Sequence, residues 1–66
     1  MNPRLTIIIP FLNEKEEVAN TVRSIREYSN SDEVVILLIN DASDDGYDYQ
    51  QVAETYQTEY ILNPVR

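Results

Sequence analysis

Val34-Val35-Ile36-Leu37-Leu38-Ile39-Asn40-Asp41 decides the fold. Six consecutive apolar residues, mostly β-branched, read as a buried strand, and the run halts on two polar residues. Upstream, Asn30-Ser31-Asp32 is a turn signal, and before it Val18, Val22 and Ile25 recur at helical spacing, with Tyr28 extending the stripe. The helix is expected from about Glu14 to Ser29, with Asn13 as N-cap and Glu16 three residues later completing a capping-box-like pair. Glu14, Glu16 and Glu17 crowd its first turn, where the helix dipole favours negative charge. Arg23 and Glu27 lie one turn apart on a more polar flank. Further upstream, Leu5-Thr6-Ile7-Ile8-Ile9 is a second β-rich run, stopped by Pro10.

Downstream of the deciding stretch, Asn40 to Gly46 is a polar loop, and Asp44 or Asp45 is placed to cap a second helix. Tyr49, Val52, Ala53 and Tyr56 share one face of that helix, and Thr58 to Leu62 reads as a third strand closed by Asn63-Pro64. No repeat, low-complexity tract or linker interrupts the order β-α-β-α-β, so the class is α/β. Right-handed crossovers in a sheet wound steadily as 3-2-1 place both helices on one face. Strands one and two nevertheless read as runs buried on both faces. Something else must then cover the second face: the rest of a longer polypeptide, a second copy in a homo-oligomer, or a partner.

Composition narrows the chemistry. With 66 residues the chain holds one small domain, and a domain of about 60 residues buries only roughly 60% of its unfolded surface. There is no Cys and no His, which removes disulfides, the usual zinc sets, thiol nucleophiles and the Ser–His–Asp arrangement. Carboxylates remain as the acid, base or hard-cation groups. Twelve acidic residues against five basic ones give a net charge of −7, which argues against nucleic acid or an anionic membrane surface as main partner. It also means that a phosphorylated ligand needs neutralisation by a divalent cation or by cations elsewhere. No apolar run approaches the ~20 residues of a membrane span, and the run after Arg4 is too short for a signal peptide. The expectation is a cytoplasmic protein.

In an open parallel sheet, ligands bind beyond the C-terminal strand ends. Strand one ends in Pro10-Phe11-Leu12-Asn13-Glu14 and strand two in Asn40-Asp41-Ala42-Ser43-Asp44-Asp45-Gly46. Asn13, Asp44 and Asp45 also read simply as cap or turn residues. Asp41 follows six apolar residues at the strand mouth, where a carboxylate accepts hydrogen bonds from a base N–H or from ribose hydroxyls. Gly46 is the one glycine, so the dinucleotide fingerprint G-x-G-x-x-G and the P-loop are both excluded within this chain. A receiver domain would keep acidic residues at the end of strand one, where Pro10-Phe11 stand.

Two of these segments carry a family resemblance. Thr6-Ile7-Ile8-Ile9-Pro10-Phe11-Leu12-Asn13-Glu14 resembles the opening of family 2 glycosyltransferases, a hydrophobic strand followed by P-x-y-N-E. Ile39-Asn40-Asp41-Ala42-Ser43-Asp44-Asp45-Gly46 is similar to the second signature, V-D-D-G/A-S-x-D-G-T, and Leu62-Asn63-Pro64 to the third-strand ending. The resemblance implies residues 1–66 as a single partial domain, the β-α-β-α-β half of a Rossmann-like GT-A nucleotide-binding fold. It further implies transfer of a sugar from a nucleotide-diphospho-sugar, a UDP-sugar for choice, to an acceptor hydroxyl, with Mg or Mn in the complete enzyme. By the same resemblance Asp41 contacts the base, while Pro10, Phe11, Asn13 and Glu14 surround base and ribose, partly through backbone groups.

The departures are Asn40 for the usual first Asp, Leu12 for a frequent Tyr and Tyr47 for a frequent Thr. The family's D-x-D metal motif and its general base are expected beyond Arg66, so this chain alone is expected to bind no metal and to carry no catalytic residue. Two other readings stand beside this one: a non-catalytic half-domain acting as an interaction module, and an unrelated α/β domain sharing the pattern.

Overall fold

The computed structural model describes residues 5–29 and 33–64. Five elements follow in order: β1 (Leu5–Phe11), α1 (Glu16–Glu27), β2 (Val34–Asp41), α2 (Tyr49–Tyr56) and β3 (Glu59–Asn63). The strands form one parallel sheet with β2 in the centre, which is the expected 3-2-1 order. Register runs Leu5 opposite Val34 to Phe11 opposite Asn40 on one side, and Leu37 opposite Glu59 to Asp41 opposite Asn63 on the other.

Strand alternation assigns every side chain to a face. Phe11 in β1 and Ile36, Leu38 and Asn40 in β2 are buried, and they meet Val18 and Val22 of α1 and Tyr49, Val52 and Ala53 of α2. Val22, Ile36 and Leu38 are fully enclosed. Each such side chain contributes roughly 1.5–3 kcal/mol relative to exposure. The positions between them point the other way: Ile8, Pro10, Val35, Leu37, Ile39 and Ile61. Ile8 keeps 58% of its surface and Ile61 49%, so both helices do lie on one face. The shortest dimension of the fold is 14 Å, room for one layer of helices about 10–12 Å across and not for two.

The elements differ from expectation in four places. Pro10 does not end β1. It sits inside the strand opposite Ile39, and Phe11 still pairs with Asn40. Pro is tolerated there because β1 borders the sheet and a missing N–H costs little on a free edge. Asn13 does not cap α1. The cap position is Lys15 at φ 53, with no side-chain cap bond, and the helix runs from Glu16 to Glu27. Asp44 and Asp45 do not cap α2 either, because Asp48 does so by accepting from the Gln51 N–H at 3.1 Å. Tyr28 leaves the apolar stripe because α1 ends at Glu27; it is the C-cap residue and is 87% exposed.

Two further devices close the end opposite the loops. Arg26 donates to three backbone carbonyls, those of Val34 (2.8 Å), Tyr56 (3.0 Å) and Gln57 (3.1 Å), tying α1 to the start of β2 and the end of α2. Gln57 ends α2 in the left-handed conformation (φ 57, ψ 49), with its N–H bonded to the Ala53 carbonyl.

Candidate functional site

Both βα loops, 12–15 and 42–48, emerge at the C-terminal edge of the sheet, where a parallel α/β fold binds ligands. They are joined to each other before any ligand arrives. Asn13 adopts φ 54, a conformation that Asn tolerates better than most residues, and its side chain reaches across the gap. Its Oδ1 accepts from the Asp44 N–H at 2.8 Å, its Nδ2 donates to Asp44 Oδ1 at 3.0 Å, and its backbone N–H donates to Ser43 Oγ at 2.9 Å. The polar side chain that local pattern assigned to a helix cap is spent on a partner some thirty residues away.

A second tie lies beneath the first. Tyr49 is 2% exposed, its ring tilted against Phe11 at 4.6 Å and Tyr47 at 5.0 Å between centroids. The hydroxyl accepts from the Lys15 N–H at 2.7 Å and donates to the Asp45 carboxylate, while the other Asp45 oxygen accepts from the Tyr47 N–H at 3.0 Å. The phenol bond is the main cause that holds the Asp45 carboxyl below its ordinary value, against a smaller opposing effect of burial. Burial is the main cause that raises Tyr49, and the bond to Asp45 adds to it. Tyr49 is therefore both a core residue and a strut between the loops.

The two residues that end β2 have opposite fates. Asn40 points toward the helices and is 5% exposed, with its Nδ2 donating to the Tyr60 hydroxyl at 2.9 Å and its Oδ1 accepting from the Ser43 N–H at 2.9 Å. Asp41 points to the opposite, open face, where Asn63 of β3 donates from Nδ2 to Asp41 Oδ1 at 3.0 Å. Among the described residues no other hydrogen bond reaches the Asp41 carboxylate. Ala42 then turns the chain at φ 64 and Gly46 at φ 78, two positions in the left-handed region that glycine occupies most readily.

Of the five residues singled out from sequence, Pro10 and Asp41 share the open face near its C-terminal edge. Phe11 is turned inward, 5% exposed against Tyr49, so only its backbone is available at the edge. Asn13 and Glu14 are exposed on the first loop, and the Asn13 side chain is already engaged by Asp44. Sequence reasoning missed the role of Asn63, read there only as the end of a strand, and the hydroxyls of Ser43, Tyr49 and Tyr60. A parallel register would have pointed to Asn63, because it stands directly opposite Asp41.

A divalent metal does not fit these residues. Among the described residues no group of three or more His, Cys, Asp or Glu side chains converges on one point. Asp41, Asp44 and Asp45 are each bonded to a different neighbour, Asn63, Asn13 and Tyr49 respectively. Lys15 is the one cation in the two loops, against four carboxylates, Glu14, Asp44, Asp45 and Asp48. What the edge offers a ligand is hydrogen-bond acceptance rather than positive charge.

Residues 6–66 match the sequence profile described as Glycosyl transferase family 2, and the chain belongs to that family. No curated protein and no solved structure gives a significant match. Membership makes it a glycosyltransferase by family, with a nucleotide-sugar as donor and typically a divalent metal. No helix among the described residues is long and apolar enough to cross a membrane.

Proposed function

We propose that this family 2 chain forms the base-and-ribose side of a donor site for a nucleotide-diphospho-sugar, with a uridine nucleotide as the preferred donor. The observation that carries this reading is the placement of Asp41. Its carboxylate stands at the C-terminal end of the central strand, on the open face, with one oxygen free of any bond among the described residues. A carboxylate so placed accepts from a base N–H, and a charge-assisted bond of that kind is worth about 1.5–3 kcal/mol. Pro10 flanks it on the same face, and the backbone around Phe11 to Glu14 closes the ribose side. The diphosphate and its Mg or Mn belong to residues other than these, since the loops carry one cation against four carboxylates and no three acidic side chains among the described residues converge on a metal. On this reading the chain is the opening part of a larger transferase domain, whose remainder activates the acceptor hydroxyl.

The test is Asp41→Asn, assayed by calorimetric titration with UDP. Affinity should fall about tenfold or more, while the circular dichroism spectrum stays that of the wild type. Unchanged affinity would remove Asp41 from the site.

The exposed apolar face supports a second reading, an interaction module without transfer activity. Ile8, Leu37, Ile39 and Ile61 make a continuous strip across three strands, and Ile8 and Ile61 are about half exposed. The rest of a longer polypeptide or a second copy would cover it. Wild-type chain that ignores UDP yet self-associates in sedimentation would favour this second reading.

A further inference from the structure

Asn63 deepens the donor-site reading, on which this inference rests. A free carboxylate offers two equivalent oxygens and can grip two adjacent N–H donors at once. The Asp41 carboxylate is not free in that sense. Asn63 stands opposite it in the β2–β3 register and donates from Nδ2 to Oδ1 at 3.0 Å. That bond takes one lone pair of Oδ1 and restrains the carboxylate, leaving Oδ2 as the oxygen with no partner among the described residues. The Asn63 amide carries a second N–H, so the pair presents an acceptor beside a donor. Its complement is an edge with one N–H next to a carbonyl, as in uracil. Guanine has such an edge too, at N1–H beside its carbonyl, but its stronger match to a carboxylate is the paired grip of N1–H and N2–H on both oxygens, which the Asn63 bond obstructs.

We propose that Asn63 is a positioning and specificity residue of the donor site, restraining Asp41 so that the site favours a base held through one N–H over the paired N1–H and N2–H grip of guanine. Asn63 is exposed and lies at the end of a border strand, so its side chain supports little of the fold. Its substitution should change selectivity and leave the core packing intact.

The experiment measures UDP and GDP binding to the full chain as wild type, Asn63→Ala, Asn63→Asp and Asp41→Asn, with folding checked for each by circular dichroism. Wild type should prefer UDP. Asn63→Ala, which opens the paired grip to guanine, should narrow the UDP-to-GDP ratio about tenfold, the worth of one charge-assisted hydrogen bond. Asn63→Asp keeps the size but removes the N–H donor and sets two carboxylates side by side, so its UDP binding should weaken and its pH profile should depart from that of the wild type. A ratio and pH profile unchanged in both Asn63 variants, with Asp41→Asn still weakening UDP, would overturn the role of Asn63 alone. Wild type that binds no UDP, or Asp41→Asn that binds as wild type does, would overturn the donor-site reading and this inference with it.

Discussion

Replacing Tyr49 with Phe isolates the strut between the two loops. The ring, 2% exposed and stacked at a tilt on Phe11, is retained, so no cavity opens and the transfer energy of the aromatic is unchanged. What disappears is one oxygen that accepts from the Lys15 N–H and donates to Asp45. The Lys15 bond is part-buried, and Phe leaves that N–H without its acceptor. Stranding a buried donor costs about 1–3 kcal/mol. Asp45 regains water when its partner leaves, so we assign its bond no share of that figure. Native domains have only about 0.05–0.15 kcal/mol of stability per residue, so the loss is a substantial part of the whole. The melting temperature should fall by roughly 4–8 °C for each kcal/mol.

The pH dependence supplies an independent arm. The Asp45 carboxyl titrates below its ordinary value in the folded state because the Tyr49 phenol donates to its charged form. A depressed carboxylate contributes stability that is fully present above its unfolded value, about 4, and lost as pH falls through the folded value. Tyr49 has the opposite sign. Its folded value is raised, so its contribution is present below about pH 10 and lost as pH rises through the folded value. Urea unfolding followed by circular dichroism across pH 2–7 should therefore show a weaker acid limb in Tyr49→Phe. A variant as stable as wild type at pH 7, with the same acid limb, would refute the strut.

Two other substitutions test the fold itself. Val22→Asp places a carboxylate at a position with no exposure on the α1 core face, and several kcal/mol of uncompensated desolvation should leave the chain unfolded at pH 7; a native circular dichroism spectrum would contradict that face. Gln57→Gly relieves a left-handed residue, which costs about 1–2 kcal/mol for a side chain, against the larger conformational entropy that glycine loses on folding. The net gain should be roughly 0.5–1 kcal/mol in a urea titration, and a loss would contradict the αL end of α2.

The parts of the fold legible in the sequence are those set by period alone. The apolar run through β2 and the stripe of Tyr49, Val52 and Ala53 announce themselves, and crossover handedness turns them into a one-sided sheet. The misread caps have a different cause: a distant group outcompetes a local rule. Asn13 and Asp44 satisfy local cap preferences, but they meet across the loops and leave capping to Asp48 and to an uncapped Lys15. Pro10 stops a strand only if both its edges are paired, and β1 has a free one. Tyr28 fits the helical stripe by spacing but falls where the helix has already ended.

The same alternation accounts for the departure at position 40. Family members usually place two acidic residues where this chain has Asn40-Asp41. Adjacent strand positions face opposite ways, so such a pair never presents both carboxylates on one surface. Here position 40 is the inward one, enclosed at 5% exposure between the Ser43 N–H and the Tyr60 hydroxyl. An amide answers that setting with one acceptor and one donor and carries no charge to desolvate. A carboxylate would have to be kept ionised in a nearly dry site by two neutral donors, with no cation among its hydrogen-bond partners. Position 41 is the outward one, and it keeps its acid. The chain thus retains the carboxylate where a ligand on the open face could reach it and gives up the one that only the core would meet.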